Sequence, residues 1–320
     1  MRQSITHSTL RLMFYALLGI SIPLMLSACS TTQVINANSK PAIQANDLIP
    51  ENELLDIGII PLEPNIPLKQ EELDKSLIIP DVRRAESSFI AYHLKDTLEL
   101  TGNWGAVRIT PEPSNSVDLT VRGKILLSDG EQLRVQMIAE DAAGRVWFDE
   151  VYTDLASKFN YEKLREDPFQ DLYNDVANDL LRNRQLLSSA QILHIKNVAS
   201  LKFARDLAPD AFSDFVDTSG RGLASINQLP ADSDLMMDRV SRIKEQEYLF
   251  VDTLDDYYSQ FYRNMRASYN EWRHSTYDEA IRLREIERQA RNRLIGGAIL
   301  IVGGIAAGSE SNTWAGDAAA

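Results

Sequence analysis

The sequence predicts an α+β protein: a small α/β head that contains an antiparallel three-strand meander, followed by an all-helical C-terminal region. Residues 118–153 alternate apolar and polar side chains through two glycine-containing turns, which is typical of antiparallel strands. A helical pattern at 83–102 lies between two short apolar runs. From about residue 160 onward, apolar side chains recur every three or four residues, which indicates helices.

The N-terminus has the pattern of a secretory signal. Arg2 and Arg11 lie in a segment without acidic residues, and the apolar run LMFYALLGISIPLML follows at 12–26. A positive end, a short apolar run and small residues before a cut site define such signals. The run is shorter than the roughly 20 apolar residues that span a bilayer.

The four residues Leu26-Ser27-Ala28-Cys29 resemble the bacterial lipobox. The resemblance implies cleavage between Ala28 and Cys29, a diacylglycerol on the Cys29 thiol and acylation of the new amine. Two or more acyl chains hold a protein stably on a membrane. Ser30 stands where lipoproteins of the inner membrane usually have Asp, so the expected location is the outer membrane, facing the periplasm. The alternatives are the periplasmic face of the inner membrane, or an ordinary signal peptide or uncleaved anchor with an incidental cysteine.

Composition limits the partners. After removal of residues 1–28, 31 basic and 46 acidic residues remain, a net charge of −15. Such acidity argues against nucleic-acid binding, which needs basic patches. Cys29 is the only cysteine, so the exported chain is expected to contain no disulfide.

The expected organisation has five parts. Residues 1–28 are the signal peptide, 29–53 a polar lipidated tether, 54–155 the α/β domain, 160–293 a helical region and 294–320 a glycine-rich apolar segment. Within the α/β domain, a strand at 54–62 precedes the helix at 83–102, where Gly102 is the expected C-cap. A second strand follows at 104–110.

The meander is the clearest pattern in the chain. Arg122 and Lys124 alternate with apolar residues, and the turns SDGE and DAAG separate the runs. One face of the meander is expected to contain Leu119, Val121, Ile125, Leu127, Leu133, Val135, Met137 and Ala139.

The order of elements, with the segments DLTVRGKILLSDG and EDAAGRVWFDEVYT, resembles a small α/β module of envelope lipoproteins and secretion accessories. Examples are the N-terminal domain of TolB, the CsgG-like secretion proteins and the auxiliary lipoproteins of ABC transporters. Pro61-Leu62 resembles the end of their first strand. The resemblance covers about residues 54–153 and implies a partner-binding module without catalytic residues.

The helical region has its own signals. Asp167 is expected to cap a helix in which Pro168 is the first residue and Gln170 completes a capping box. A long helix is predicted from about 233 to 293. Its aromatic stripe is expected to form core or a partner interface: Phe250, Leu254, Tyr258, Phe261, Met265, Tyr269 and Trp272.

No catalytic, metal or cofactor motif was found in the sequence. His93, His194 and His274 are scattered, without the clustered spacing that metal sites need, and are expected to be structural. No G-x-S-x-G nucleophile turn occurs, and the prediction is no catalytic residue, no metal site and no cofactor.

The apolar run LIGGAILIVGGIAAG at 294–308 follows an arginine-rich segment. Gly297, Gly304 and Gly308 fall on one helical face, which predicts a helix that packs on a membrane or another helix. The alternative is a disordered tail.

Two functions remain open from the sequence. The first is a non-enzymatic lipoprotein, tethered at Cys29, that binds an envelope protein partner as part of an assembly or transport system. The alternative is a periplasm-facing hydrolase for cell-wall or lipid material with unrecognised carboxylates. A pocket with convergent carboxylates of perturbed pKa would favour the hydrolase. An exposed apolar surface would favour the binding protein.

Overall fold

Five strands form one mixed sheet in the computed structural model of the chain, and a long C-terminal helix packs beside it. The fold class is therefore mixed α/β. The residues that the structure describes are 40–74, 78–162, 166–220, 222–231 and 233–308, with side chains as far as Leu294.

The sheet has the strand order β2-β1-β3-β4-β5. Strand β1 lies between β2 and β3 and is parallel to both, whereas β3, β4 and β5 are antiparallel neighbours. The strands are β1 (Ile57–Ile59), β2 (Val107–Ile109), β3 (Leu119–Ser128), β4 (Gln132–Asp141) and β5 (Val146–Leu155). The prediction of a sheet that is a three-strand antiparallel meander is wrong, because two parallel strands extend it. Parallel pairing joins residues far apart in sequence and leaves no local turn signal.

Seven α-helices and one 3-10 helix (Glu51–Glu53) accompany the sheet in the described part of the chain. The α-helices are α1 (Gln70–Asp74), α2 (Pro80–Thr101), α3 (Lys158–Glu162), α4 (Gln170–Gln185), α5 (Ser189–Leu207), α6 (Pro209–Phe212) and α7 (Leu235–Gly308). Helix α2 ends as predicted, with Gly102 in the left-handed conformation at φ 66°. Only glycine adopts that conformation without a steric cost.

The C-terminal region is not all-helical, which corrects the prediction. Strands β6 (Val216–Asp217) and β7 (Ser225–Ile226) form a two-stranded antiparallel ladder between α6 and α7. Strands of two residues are too short to show alternation, so sequence patterns do not reveal them.

The predicted start of this helix at Pro168 is two residues early. Helix α4 begins at Gln170, and its N-cap Phe169 makes no side-chain capping hydrogen bond. The Asp167 carboxylate accepts a hydrogen bond from the Phe169 amide at 3.0 Å, and it also binds Arg273 of α7. The side chain that the local sequence assigned to the helix start therefore has a tertiary partner as well.

The meander strands place their apolar face inward as predicted. Val121 and Val135 are fully buried, while Arg122 on the other face is exposed. Leu127 was expected on the inner face but leaves it, because the β3–β4 register shifts between Ile125 and Leu127. This bulge brings Ser128 to an inner position.

The second half of the predicted tether contacts the head. The Ile43 amide donates to the Asn178 side chain at 2.8 Å, and the Asn103 side chain donates to the Ile43 carbonyl at 2.7 Å. The Ala45 amide donates to the Thr101 carbonyl at 2.8 Å. The chain is therefore fixed to the head from about Pro41, beside the C-terminal end of α2. Cys29 and the rest of residues 1–39 lie outside the described residues.

Candidate functional site

Helix α7 is the dominant feature outside the sheet: its 74 residues extend for about 110 Å. One face docks on the head, through the buried residues Asp255, Tyr262, Tyr269, Arg273 and Ala280. Successive members are separated by four or seven residues, so they share one side of the helix. Tyr262 and Tyr269 belong to the same hydrophobic core as the sheet.

Arg273 enters a buried site on the head. Its guanidinium forms a two-pronged pair with Asp167, at 3.1 and 2.7 Å, and both side chains are almost inaccessible. The rings of Phe89, Phe169 and Tyr269 lie around it, with centroids 5.4, 5.5 and 4.4 Å from the guanidinium carbon. Burial alone would raise the pKa of Asp167, but the Arg273 charge outweighs it and holds this pKa below its usual range. The carboxylate therefore stays ionised.

A second buried carboxylate lies beside this pair. Glu86 of α2 accepts hydrogen bonds from the hydroxyls of Tyr269 and Ser128, and Arg83 pairs with it at 2.9 Å. The Arg83 guanidinium also donates to the Ser128 carbonyl at 3.1 Å. Three elements, α2, β3 and α7, therefore meet at one carboxylate. Ser128 takes part because of the bulge that precedes it.

The SDGE turn between β3 and β4 is a clamp on α7. Asp129 and Glu131 both bind Arg284 of the helix. Gly130 has φ 83°, and a Cβ at this position would overlap the main chain of Arg273. The turn residues that sequence analysis treated as connectors thus hold the helix in place.

Each of the three histidines in the described part of the chain contacts another residue of the protein. His93 is buried between the Tyr262 hydroxyl, 2.6 Å from Nδ1, and the Gln170 side chain, 2.7 Å from Nε2. His194 contacts the Ala224 carbonyl at 3.1 Å, and the His274 ring stacks on Tyr161. Across the described residues, no group of three His, Cys, Asp or Glu side chains is placed to hold a metal ion.

An ionic cluster fastens α5 and α7 at the amino ends of β1 and β3. The Asp56 amide donates to Asp118 at 2.9 Å, and Lys196 of α5 lies 3.8 Å from the same carboxylate. Burial raises the pKa of Asp118 and of the Tyr248 hydroxyl and lowers that of Lys244. These shifts come mainly from desolvation where helices cover the sheet end.

A different face of α7 is apolar and uncovered. Met236, Ile243, Phe250 and Tyr257 recur every seven residues and are 40, 43, 64 and 70 % exposed. Phe261 continues them at 49 % exposure. We call these five residues the exposed stripe. Phe250 and the docked Asp255 are five positions apart, about 140° around the helix. The sequence prediction of one aromatic stripe thus merged two faces, because Tyr269 docks whereas Phe250 does not.

Two cavities lie outside the exposed stripe. One, of about 260 Å³, lies between the SDGE turn and α7 and is lined by Arg83, Asp129 and Arg284 among others. The other, of about 470 Å³, lies on the helix-free face of the sheet beside Arg122 and Lys124. Lys124 there pairs with Glu63 at 3.2 Å.

Several carboxyl groups have a raised pKa, in each case first because of burial: Asp96, Asp118, Asp129, Asp154, Asp175 and Asp255. Of these, only Asp129 lines either cavity, and Arg284 neutralises it. The charge of Asp175 contributes to the raised pKa of Asp154, so these two groups lie near each other, but neither lines either of the two cavities.

The remaining predicted site residues are at the ends of the chain. Ala28 and Cys29 lie outside the described residues. The backbone of α7 continues through Gly297 and Gly304 to Gly308, so the glycines are part of this helix. Within the described residues, none of the helices combines the length and apolar character needed to cross a membrane.

No protein-family model matches the chain, and no curated protein matches its sequence.

Proposed function

We propose that the protein is a non-enzymatic lipoprotein of the bacterial envelope. Lipid at Cys29 holds it on the periplasmic face of the outer membrane, and it binds a protein partner as a scaffold component of an assembly or transport system. The observation that supports this most directly is the exposed stripe of α7. Contiguous exposed apolar surface on a folded protein is typical of interaction sites.

The stripe has the spacing of a helix-docking surface. Apolar side chains at seven-residue intervals form the seam along which a second helix packs. We therefore propose that the partner presents an amphipathic helix, which lies along α7 between Met236 and Phe261.

The buried contacts of α7 favour this role. The Arg273–Asp167 pair and the clamp around Arg284 fix the helix on the head before any partner arrives. A surface that is already ordered loses little conformational entropy on binding, which increases affinity.

Two further points support a binding protein over the hydrolase. Of the carboxyl groups with raised pKa, only Asp129 lines one of the two cavities described above, whereas an acid–base enzyme needs such groups together in a cleft. The resemblance of residues 54–153 to partner-binding modules of envelope lipoproteins points to the same class.

Site-specific photocrosslinking in whole envelopes tests the partner surface. A photoreactive residue at Phe250 or Tyr257 should give one discrete protein adduct, whereas one at Leu100 or Leu186, which are also exposed but lie outside α7, should not. The double variant Phe250→Ser/Tyr257→Ser should lose the co-purifying partner while its melting temperature stays unchanged. Retention of the partner by this variant would contradict the proposal.

The anchor is tested separately. In Cys29→Ser the precursor should remain uncut by the lipoprotein peptidase and unlabelled by radioactive palmitate, and no mature form should partition into detergent. A mature protein of unchanged size and partitioning would rule out lipidation at Cys29.

A further inference from the structure

The two ends of the chain leave the head at opposite poles. Tyr92 of α2 contacts Asp255, whereas Glu86, earlier in α2, contacts Tyr269, later in α7. Helices α2 and α7 are therefore antiparallel. The N-terminal chain is fixed where α2 ends, by the bond from Ala45 to Thr101. Helix α7 leaves where α2 begins, beyond Arg284.

Beyond Arg284, α7 is no longer covered by the head. Every residue from Glu285 to Leu294 is exposed, and the helix continues to Gly308. We call residues 285–308 the arm. From Arg284 to Gly308 it extends for about 36 Å.

The arm has a charge opposite to that of the whole chain. Residues 285–308 contain Glu285, Glu287 and three arginines, a net charge of +1 in a protein of net charge −13, and the part from Arg288 to Gly308 contains no acidic residue. Arg288 lies 3.5 Å from Glu285. Arg288, Arg291 and Arg293 are exposed and directly precede the apolar run 294–308. Arginines beside an apolar helical segment are typical of peptides that bind at the surface of anionic bilayers.

We propose that the arm binds an anionic lipid surface other than the one to which Cys29 is anchored. The anchoring at Cys29 is the function proposed above, and this part of the inference rests on it. The protein would then connect two membrane surfaces, with the lipid anchor at one pole and the arm at the other.

The dimensions of the chain support this geometry. From Arg83 to Thr101, α2 extends for about 27 Å, so the end of the arm is about 60 Å from the N-terminal pole along the two helices. Eleven peptide units join Cys29 to Lys40. Eleven peptide units can span at most about 38 Å. With α7 upright on the anchoring membrane, the arm ends far from that membrane.

Charge disfavours the alternative in which the protein lies flat on one membrane. The acidic excess of the chain is outside the arm, and a negative body is repelled by an anionic surface. Only the arm is attracted to an anionic lipid surface, which favours contact with that surface through the pole from which the arm extends.

Lipid binding by the arm is measured first without the anchor. The full mature chain with Cys29→Ser is sedimented with vesicles of phosphatidylglycerol or of phosphatidylcholine. Binding to phosphatidylglycerol alone is expected, and 0.5 M salt should weaken it, because surface charges are screened. The triple variant Arg288→Gln/Arg291→Gln/Arg293→Gln should bind at least tenfold more weakly. The control Arg242→Gln/Arg263→Gln/Arg266→Gln, which removes equal charge from exposed positions of the docked helix, should bind as the parent does.

The second measurement separates one membrane from two. Lipidated protein in phosphatidylcholine vesicles should capture phosphatidylglycerol vesicles, detected by energy transfer between labelled lipids, and the arginine triple variant should not. If the unlipidated chain fails to bind phosphatidylglycerol vesicles, the proposal that the arm binds an anionic lipid surface is wrong. In that case, loss of a co-purifying protein on deletion of residues 294–320 would show that the arm binds a protein. If the unlipidated chain binds but no vesicles are captured, the arm binds the anchoring membrane and the bridge is overturned. Absence of lipid on the wild-type protein would contradict the proposed anchor while leaving the first measurement valid.

Discussion

Arg273 of the C-terminal helix and Asp167 of the segment before α4 form an ion pair in which both side chains are almost completely buried. The residues are 106 positions apart, and the pair joins the long helix to the core of the head. Such a pair need not be more stabilising than apolar residues in the same place. Removal of only one partner, however, leaves a buried charge without a counter-ion. The pair therefore specifies where along its length α7 docks.

Arg273→Met should lower the free energy of unfolding by about 3 to 5 kcal/mol, because Asp167 would remain buried without a counter-ion. Arg263→Met, ten residues earlier in the same helix and exposed, should change it by less than about 0.5 kcal/mol. Urea unfolding followed by circular dichroism measures both. Equal midpoints for the two variants would show that the pair does not hold the helix.

Alanine substitutions at two hairpin glycines distinguish the cost of backbone strain from the cost of steric overlap with α7. Gly130 and Gly144 have φ of 83° and 89°, but a Cβ would meet the α7 main chain at the first and nothing within 4 Å at the second. Gly144→Ala should cost about 1 kcal/mol from its backbone conformation alone. Gly130→Ala should cost about 1 to 3 kcal/mol more, because the turn must move away from α7. Thermal unfolding of the two variants measures the difference in stability. Equal losses of stability would show that the SDGE turn does not pack closely against α7.

The register of β3 predicts opposite outcomes at neighbouring positions. Val121→Asp would bury a carboxylate on the inner face and should destabilise the protein by several kcal/mol, on the order of 3 or more. Arg122→Asp changes an exposed side chain 3.8 Å from Glu140 and should cost less than about 1 kcal/mol. Melting temperatures compare the two. Similar losses would mean that the inner and outer faces are reversed.

The stability of the docked helix should depend on pH through Asp255. Burial raises its pKa to about 6, and the nearby Asp252 adds to the shift, although contacts with Lys95, the Ile109 amide and the Tyr92 hydroxyl oppose it. The unfolded value is about 3.9, so between pH 4 and 6 the folded state binds the proton more tightly. This group therefore contributes stability that is present below about pH 4 and lost as the pH rises through 6.

Relative to Asp255→Asn, the wild-type melting temperature should increase as the pH is lowered from 7 to 4.5. Asp256→Asn removes the same charge from an exposed position one residue away, and a change shared by both variants would reflect net charge alone. A difference between wild type and Asp255→Asn that stays constant over this range would contradict the assignment.

The strands and helices with local periodicity could be predicted from the sequence. Alternation at Leu119 and Val121 located the inner face of β3, and Gly102 located the end of α2. The sequence did not reveal that Leu127 leaves this face, because one extra residue in a strand shifts the register without changing its composition.

The candidate site was harder to foresee. The aromatic residues of α7 were visible, but their division into a docked and an exposed face was not. Two of the docked residues are charged, Asp255 and Arg273, and two are tyrosines, so an apolar stripe does not identify the buried side. The signal for the exposed stripe in the sequence was the seven-residue spacing of apolar side chains from Met236 to Tyr257.

The sequence alone determined the elements whose cause is local: alternation in the hairpins, the end of α2 at a glycine, and the existence of a long C-terminal helix. Its N-terminal signal and lipobox remain predictions of the same local kind. Only the tertiary structure decided that β1 lies between two parallel neighbours and that Asp167 binds Arg273 of α7. The physical reason is that these contacts join residues 50 to 106 positions apart. Their free energy depends on burial and geometry that no local pattern encodes.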